Sequence, residues 1–132
     1  MRKHIMAGLL VSMALACGAS ASEFDLKENM HKLNAHMSAM QVAFINGDRD
    51  GAIEAAKALK DESDKLLGDE AIMKKMLPED KQHKTRIAKT SAVMISDYVE
   101  MMIESNDNQG AQSAYFGVER ACFRCHNLVR DW

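Results

Sequence analysis

Residues 23–46, EFDLKENMHKLNAHMSAMQVAFIN, set Leu26, Met30, Leu33, Met37, Met40 and Phe44 at alternating steps of four and three. That spacing lines all six along one stripe of an α-helix running from about Glu23 to Asn46. Asn46-Gly47-Asp48 is a stop-and-turn signal. A second helix follows over about Arg49 to Leu67, presenting Ile53, Ala56, Leu59 and Leu66, with Gly68 placed to end it. Residues 69–77 form a short apolar turn or helix carrying Ile72, Met73, Met76 and Leu77. Pro78 suits the first position of a third helix, and Glu79 and Asp80 suit its positive end. This helix shows Ile87, Met94, Tyr98 and Met101 and reaches about Ser105. Asn106-Asp107-Asn108 with Gly110 marks another turn. A fourth helix then runs to near Arg130 with Ala114, Val118, Cys122, Cys125 and Val129 on one face. There is no strand pattern and no internal repeat. Four helices joined by short connections predict an all-α fold, an antiparallel up-down-up-down four-helix bundle.

A chain of 132 residues with one Pro suits a single domain. Its apolar share of 47% against 5% aromatics is carried by helix-favouring Ala, Leu, Ile and Met. The opening Met1-Arg2-Lys3-His4 is basic, Ile5 to Ala16 is apolar, and Ala19-Ser20-Ala21 is an A-x-A cleavage site. Residues 1–21 therefore read as a cleavable export signal, and residues 22–132 as the exported domain, beginning at Ser22 in the periplasm. The apolar run is shorter than the ~20 residues a spanning helix needs. Cys17 offers a rival route, lipid attachment, but Ala14-Leu15-Ala16 matches that signal poorly; membrane association is expected only if Cys17 is lipidated. Cleavage removes Arg2 and Lys3 and no acid, which moves the formal charge from −2 to −4. An acidic chain of this kind is no nucleic-acid binder, because phosphate binding needs a basic face.

Export also removes Cys17, leaving Cys122 and Cys125 as the only cysteines, with His126 immediately after. Cys122-Phe123-Arg124-Cys125-His126 is the C-x-x-C-H haem attachment motif. On a helix, residues three and four apart share a face. Two thiols can then add to the haem vinyl groups while the imidazole stands under the iron. The competing uses fit less well. A redox Cys-x-x-Cys pair sits at the start of a helix in a βαβ setting, whereas this one lies late in a terminal helix. Zinc would need a fourth ligand from elsewhere, and a disulfide across one helical turn would be strained. One covalently bound haem c, held by Cys122 and Cys125 with His126 on the iron, is the expected cofactor.

With these residues in view, the chain resembles the class II c-type cytochromes, cytochrome c-prime and its low-spin relatives, in which C-x-x-C-H lies near the end of a four-helix bundle. The segment Asn29 to Met37, with its Ala35-His36-Met37 step, is similar to that family's first helix, and Arg130 follows His126 by four residues as it does there. The stretch Asp25 to Asn34 looks closer still to the opening of the periplasmic four-helix cytochrome b. There a Met at the place of Met30 ligates the iron opposite a His at the place of His126. The resemblance implies His126 and Met30 as the two axial ligands. Leu26 stands where class II proteins carry a basic residue near the haem.

In an up-down-up-down bundle the start of the first helix and the end of the fourth share one end, so Met30 and His126 lie at similar depth, roughly 9 Å in. Met73, Met76 and His83, on the connection that returns to that end, are rivals for the iron. His31 is a rival in sequence that points about 100° away from Met30. Met37 is expected in the core, and His36 and His83 at the surface. Arg130 is either a haem-propionate contact or a solvated helix-end cation. Phe116, Phe123 and Tyr115 either line the haem or pack.

The expected function is one-electron transfer by a His/Met-ligated low-spin haem, with redox proteins as partners and a homodimer among the possible assemblies. A five-coordinate haem protein binding nitric oxide or carbon monoxide is the second reading. A non-haem bundle using its methionines for copper is the third, though their helical spacing favours core packing. No nucleophile-base or paired-carboxylate arrangement points to an enzyme.

Overall fold

The computed structural model describes residues 25–130. The expected export signal, Cys17, Ser22 and Glu23 lie outside the described residues, as does Trp132. Within them the chain is helical and contains no strand: α1 Leu26–Ile45, α2 Arg49–Leu67, α3 Glu70–Met76, a 3₁₀ turn Glu79–Lys84, α4 Thr85–Glu104 and α5 Asn108–Val129.

Acidic caps set most of the helix starts, because a side-chain carboxylate satisfies amide donors that have no intrahelical acceptor. Asp25 accepts from the Glu28 amide at 2.8 Å, Asp48 from Gly51 at 2.9 Å, and Asp107 from Gly110 at 2.7 Å. Asp69 accepts from both Ala71 and Ile72. Between α1 and α2 the chain reverses through Gly47 at φ +73°, a left-handed conformation that side chains with a Cβ adopt only at a cost.

The third expected helix differs from its sequence reading. Pro78 opens the 3₁₀ turn, and the α-helix begins only at Thr85. Met73 and Leu77 are 2% and 6% exposed; this segment packs both side chains into the core instead of continuing as one helix. The buried stripe of α4 is also one position from the expected one. Ala88, Ser91, Ala92, Ile95, Val99 and Met102 are buried, while Met101 is 56% exposed. Ile87, Met94 and Tyr98 flank the core. Reading the large side chains picked the neighbouring stripe, roughly 100° round. Small residues at the true centre let α4 approach its neighbours. Close approach shows again at Gly117, where an added Cβ would strike the Tyr98 ring.

Helix α4 packs extensively on α5, α1 on α2 and α2 on α4, whereas α1 meets α5 only sparsely. The core is a single cluster running from Leu33 and Met40 through Leu59, Leu66, Ile95, Val99 and Met102 to Val118 and Val129. The α5 stripe matches expectation: Ala114, Val118, Cys125 and Val129 are buried and Cys122 is half-buried.

Candidate functional site

The sparse contact between α1 and α5 leaves a cavity of about 760 Å³ at one end of their seam. Met30 and Asn34 of α1, Leu67 of α2, and Met73 and Leu77 of the α3 region form its walls, opposite Cys125, His126 and Val129 of α5. A smaller cavity of about 100 Å³ shares Met30, Asn34, Leu67, Cys125 and His126 and adds Cys122, Met37, Ser91 and Ile95. The larger volume falls within the range of sites that enclose small molecules and cofactors. Lys27, His31, Lys81 and Arg130 line the larger cavity, and among the described residues no carboxylate does. The Lys81 ammonium donates to the Arg130 carbonyl at 3.3 Å, tying the 3₁₀ turn to the end of α5.

Cys122 and Cys125 are free thiols. Burial pushes Cys122 up to about 11, helped by the charges of Cys125 and Glu119. Burial also raises Cys125, opposed by a hydrogen bond with Ser91. Both are protonated at neutral pH, unlike the electropositive thiolates of redox and nucleophilic cysteines. His126 is held below its ordinary value, first by burial and then by the Arg130 charge. Its imidazole is therefore neutral at neutral pH, the form that binds a metal.

Every site residue read from sequence reaches these cavities. Cys122, Cys125, His126 and Met30 line the smaller one, and all but Cys122 line the larger together with Arg130. The rivals separate. Met73 lines the larger cavity, whereas Met76 packs on the core and His83 is exposed and lines neither cavity. His31 was expected to point away but contributes to the cavity edge, and His36, expected at the surface, is half-buried. Met37, expected as core, lines the smaller cavity while packing on the core. Phe116 and Phe123 face solvent at 55% and 58% exposure. Tyr115 packs edge-on to Phe44 at 6.0 Å.

Asn34, Ser91 and Lys81 were missed. Asn34 follows Met30 by one turn and carried the signal of a polar side chain beside the apolar stripe. Ser91 is fully buried with its hydroxyl donating to the Ile87 carbonyl at 3.0 Å, a polar residue inside an apolar stripe that was itself misplaced. Lys81 reaches the site through the 3₁₀ turn and had no periodic signal.

Among the described residues no group of three or more His, Cys, Asp or Glu side chains is placed to hold a metal ion. A tetrapyrrole brings its own equatorial nitrogens and asks the protein only for axial ligands. Among the same residues no helix is long and apolar enough to cross a membrane. Set beside family models, curated proteins and solved structures, the chain matches none, so its reading rests on the cavity and the side chains that line it.

Proposed function

We propose that this chain is a periplasmic monohaem c-type cytochrome of class II type, exported by the signal in residues 1–21 and acting as a one-electron carrier. The observation that carries the reading is convergence: Met30, Cys125 and His126 line both cavities, and Cys122 lines the smaller. The donor set also fits haem c, with two protonated thiols for thioethers, a neutral imidazole, a thioether and a largely apolar wall.

When bound, haem c supplies the one-electron iron couple. Cys122 and Cys125 anchor it covalently. His126 would supply a nitrogen ligand and Met30 a sulfur ligand to the iron, a pairing that favours a raised reduction potential. Leu67, Leu77 and Val129 exclude water and lower the local dielectric. Arg130, Lys81 and Lys27 line the cavity with positive charge that would suit the haem carboxylates. With both His126 and Met30 as ligands the iron would offer no open site for substrate chemistry, which supports a carrier over an enzyme. Packing of α1 on α2, α2 on α4 and α4 on α5, with short links from α1 to α2 and from α4 to α5 and residues 68–84 between α2 and α4, supports the up-down-up-down order.

Acid-acetone extraction of protein made with c-type maturation machinery tests the proposal. One haem per chain is expected to remain, with the polypeptide mass raised by that of one haem. A bare polypeptide mass would overturn it.

A further inference from the structure

Helix α5 turns an aromatic and cationic face to solvent. Phe116 and Phe123 are 55% and 58% exposed. They are two turns apart and so share a side of the helix. Arg120 and Arg124 stand exposed beside them. The sole carboxylate of α5, Glu119, is half-buried near Tyr115 and Cys122. The exposed positions Gln109, Gln112, Ser113 and Asn127 are uncharged. In a chain with 19 acids and 17 Lys and Arg, a helix face with no exposed carboxylate is a departure. The exposed side of α4, in contrast, carries Asp97, Glu100 and Glu104. Arg124 reaches the Met94 sulfur at 3.2 Å, and among the described residues neither Arg120 nor Arg124 pairs with a carboxylate.

We propose that this face of α5 is the docking surface for an acidic protein partner with which the chain exchanges electrons, an inference that rests on the cofactor reading above. Guanidinium groups without carboxylate partners are complementary to a carboxylate-bearing surface. Exposed aromatics flanked by Arg have the composition of interface centres. The patch suits the small contacts of transient redox encounters. Its position serves that exchange, because the same turns of α5 that carry Phe123 and Arg124 outward carry Cys122, Cys125 and His126 inward. A partner seated there stands about one helix diameter, ~10–12 Å, from the cavity. Two guanidinium groups on a net-acidic chain are too few for nucleic acid. The inner apolar face of α5 is committed to the core, and its outer side offers only Phe116, Phe123 and Leu128 among polar neighbours, short of the continuous apolar face that lies in a lipid surface.

The test is titration of the ¹⁵N-labelled holoprotein with an octaglutamate peptide at low salt, followed by amide chemical shifts. Saturable shifts are expected at the outer positions of residues 116–127, lost at about 0.5 M salt as screening requires. The double variant R120E/R124E is expected to bind roughly tenfold more weakly, with an unchanged absorption spectrum and melting curve. Shifts centred elsewhere, for example on Lys74 and Lys75, or indifferent to the double variant, overturn the proposal. Tighter binding to phosphatidylglycerol vesicles than to the peptide overturns it in favour of a lipid surface. Self-association that the double variant abolishes overturns it in favour of a second copy, met through Asp97, Glu100 and Glu104. A chain without haem that still gives this map sinks the cofactor reading while upholding an acidic-partner face. A haem-bearing chain without the map sinks the docking face alone.

Discussion

The two ends of the seam between α1 and α5 are built differently. Where the end of α1 meets the start of α5, Phe44 and Tyr115 close the gap edge to face at 6.0 Å. Where the start of α1 meets the end of α5, Met30, Asn34, Cys125 and His126 face a cavity of about 760 Å³. The same two helices thus seal one end with aromatic rings and leave the other open between sulfur, imidazole and thiol. On the proposed reading, the open end beside Cys122 and Cys125 serves the cofactor and the aromatic end holds the helices together.

The largest contrast is expected from removing the anchors. In the variant C122A/C125A, any haem retained should be extracted by acid acetone. The haem-free polypeptide should lose about 3 kcal/mol of binding-linked stability, a fall in melting temperature of roughly 10–20 °C, read by circular dichroism. At the sealed part of the core the effect should be stability alone. Met40 is fully buried, so Met40→Ala should cost about 2–5 kcal/mol in denaturant unfolding and leave the absorption spectrum unchanged. A spectral change there would break the division between the two ends. The smallest expected effect concerns the haem-free polypeptide and pH. Cys122 is raised from 9.0 to about 11 in the fold, so the folded state holds its proton more tightly than the unfolded chain does. That contribution to stability is complete below about 9 and is lost as pH rises toward about 11. Alkylation of native Cys122 by iodoacetamide should accordingly keep accelerating up to pH 11, whereas the unfolded chain's rate levels off near pH 9.

Much of this was legible in the sequence where periodicity and turn signals agreed. The Met30 stripe of α1, the limits of α2 and the inner face of α5 follow from large apolar residues at helical spacing between turns, whereas Asp48 and Asp107, read only as turn residues, emerge as helix caps in the fold. The middle of the chain was harder for a physical reason. Between Gly68 and Thr85 the backbone changes direction repeatedly so that Met73 and Leu77 reach the core, and tertiary burial overrode the cue that Pro78 gave for a helix start. In α4 the interface is centred on Ala88, Ser91 and Ala92, residues whose value lies in being small, which a search for large apolar side chains passes over. At the site, Cys122, Cys125 and His126 were readable because their chemistry is local to one helix. Met30 was reached only by combining helix register with chain topology and resemblance. Lys81 and Asn34 became members of the site only when the cavity was seen.

The spin state of the iron tests the central claim most directly, since every part of the account converges on a haem held between His126 and Met30. The absorption spectrum of the purified holoprotein should show a low-spin ferric haem with a sulfur-to-iron charge-transfer band, and the ferrous form should resist carbon monoxide. Met30→Ala should abolish that band and open the iron to carbon monoxide at a lower reduction potential. A wild-type protein that is already high-spin and binds carbon monoxide readily would contradict the Met30 assignment, and a low-spin spectrum indifferent to Met30→Ala would move the ligand to Met73, which lines the same cavity.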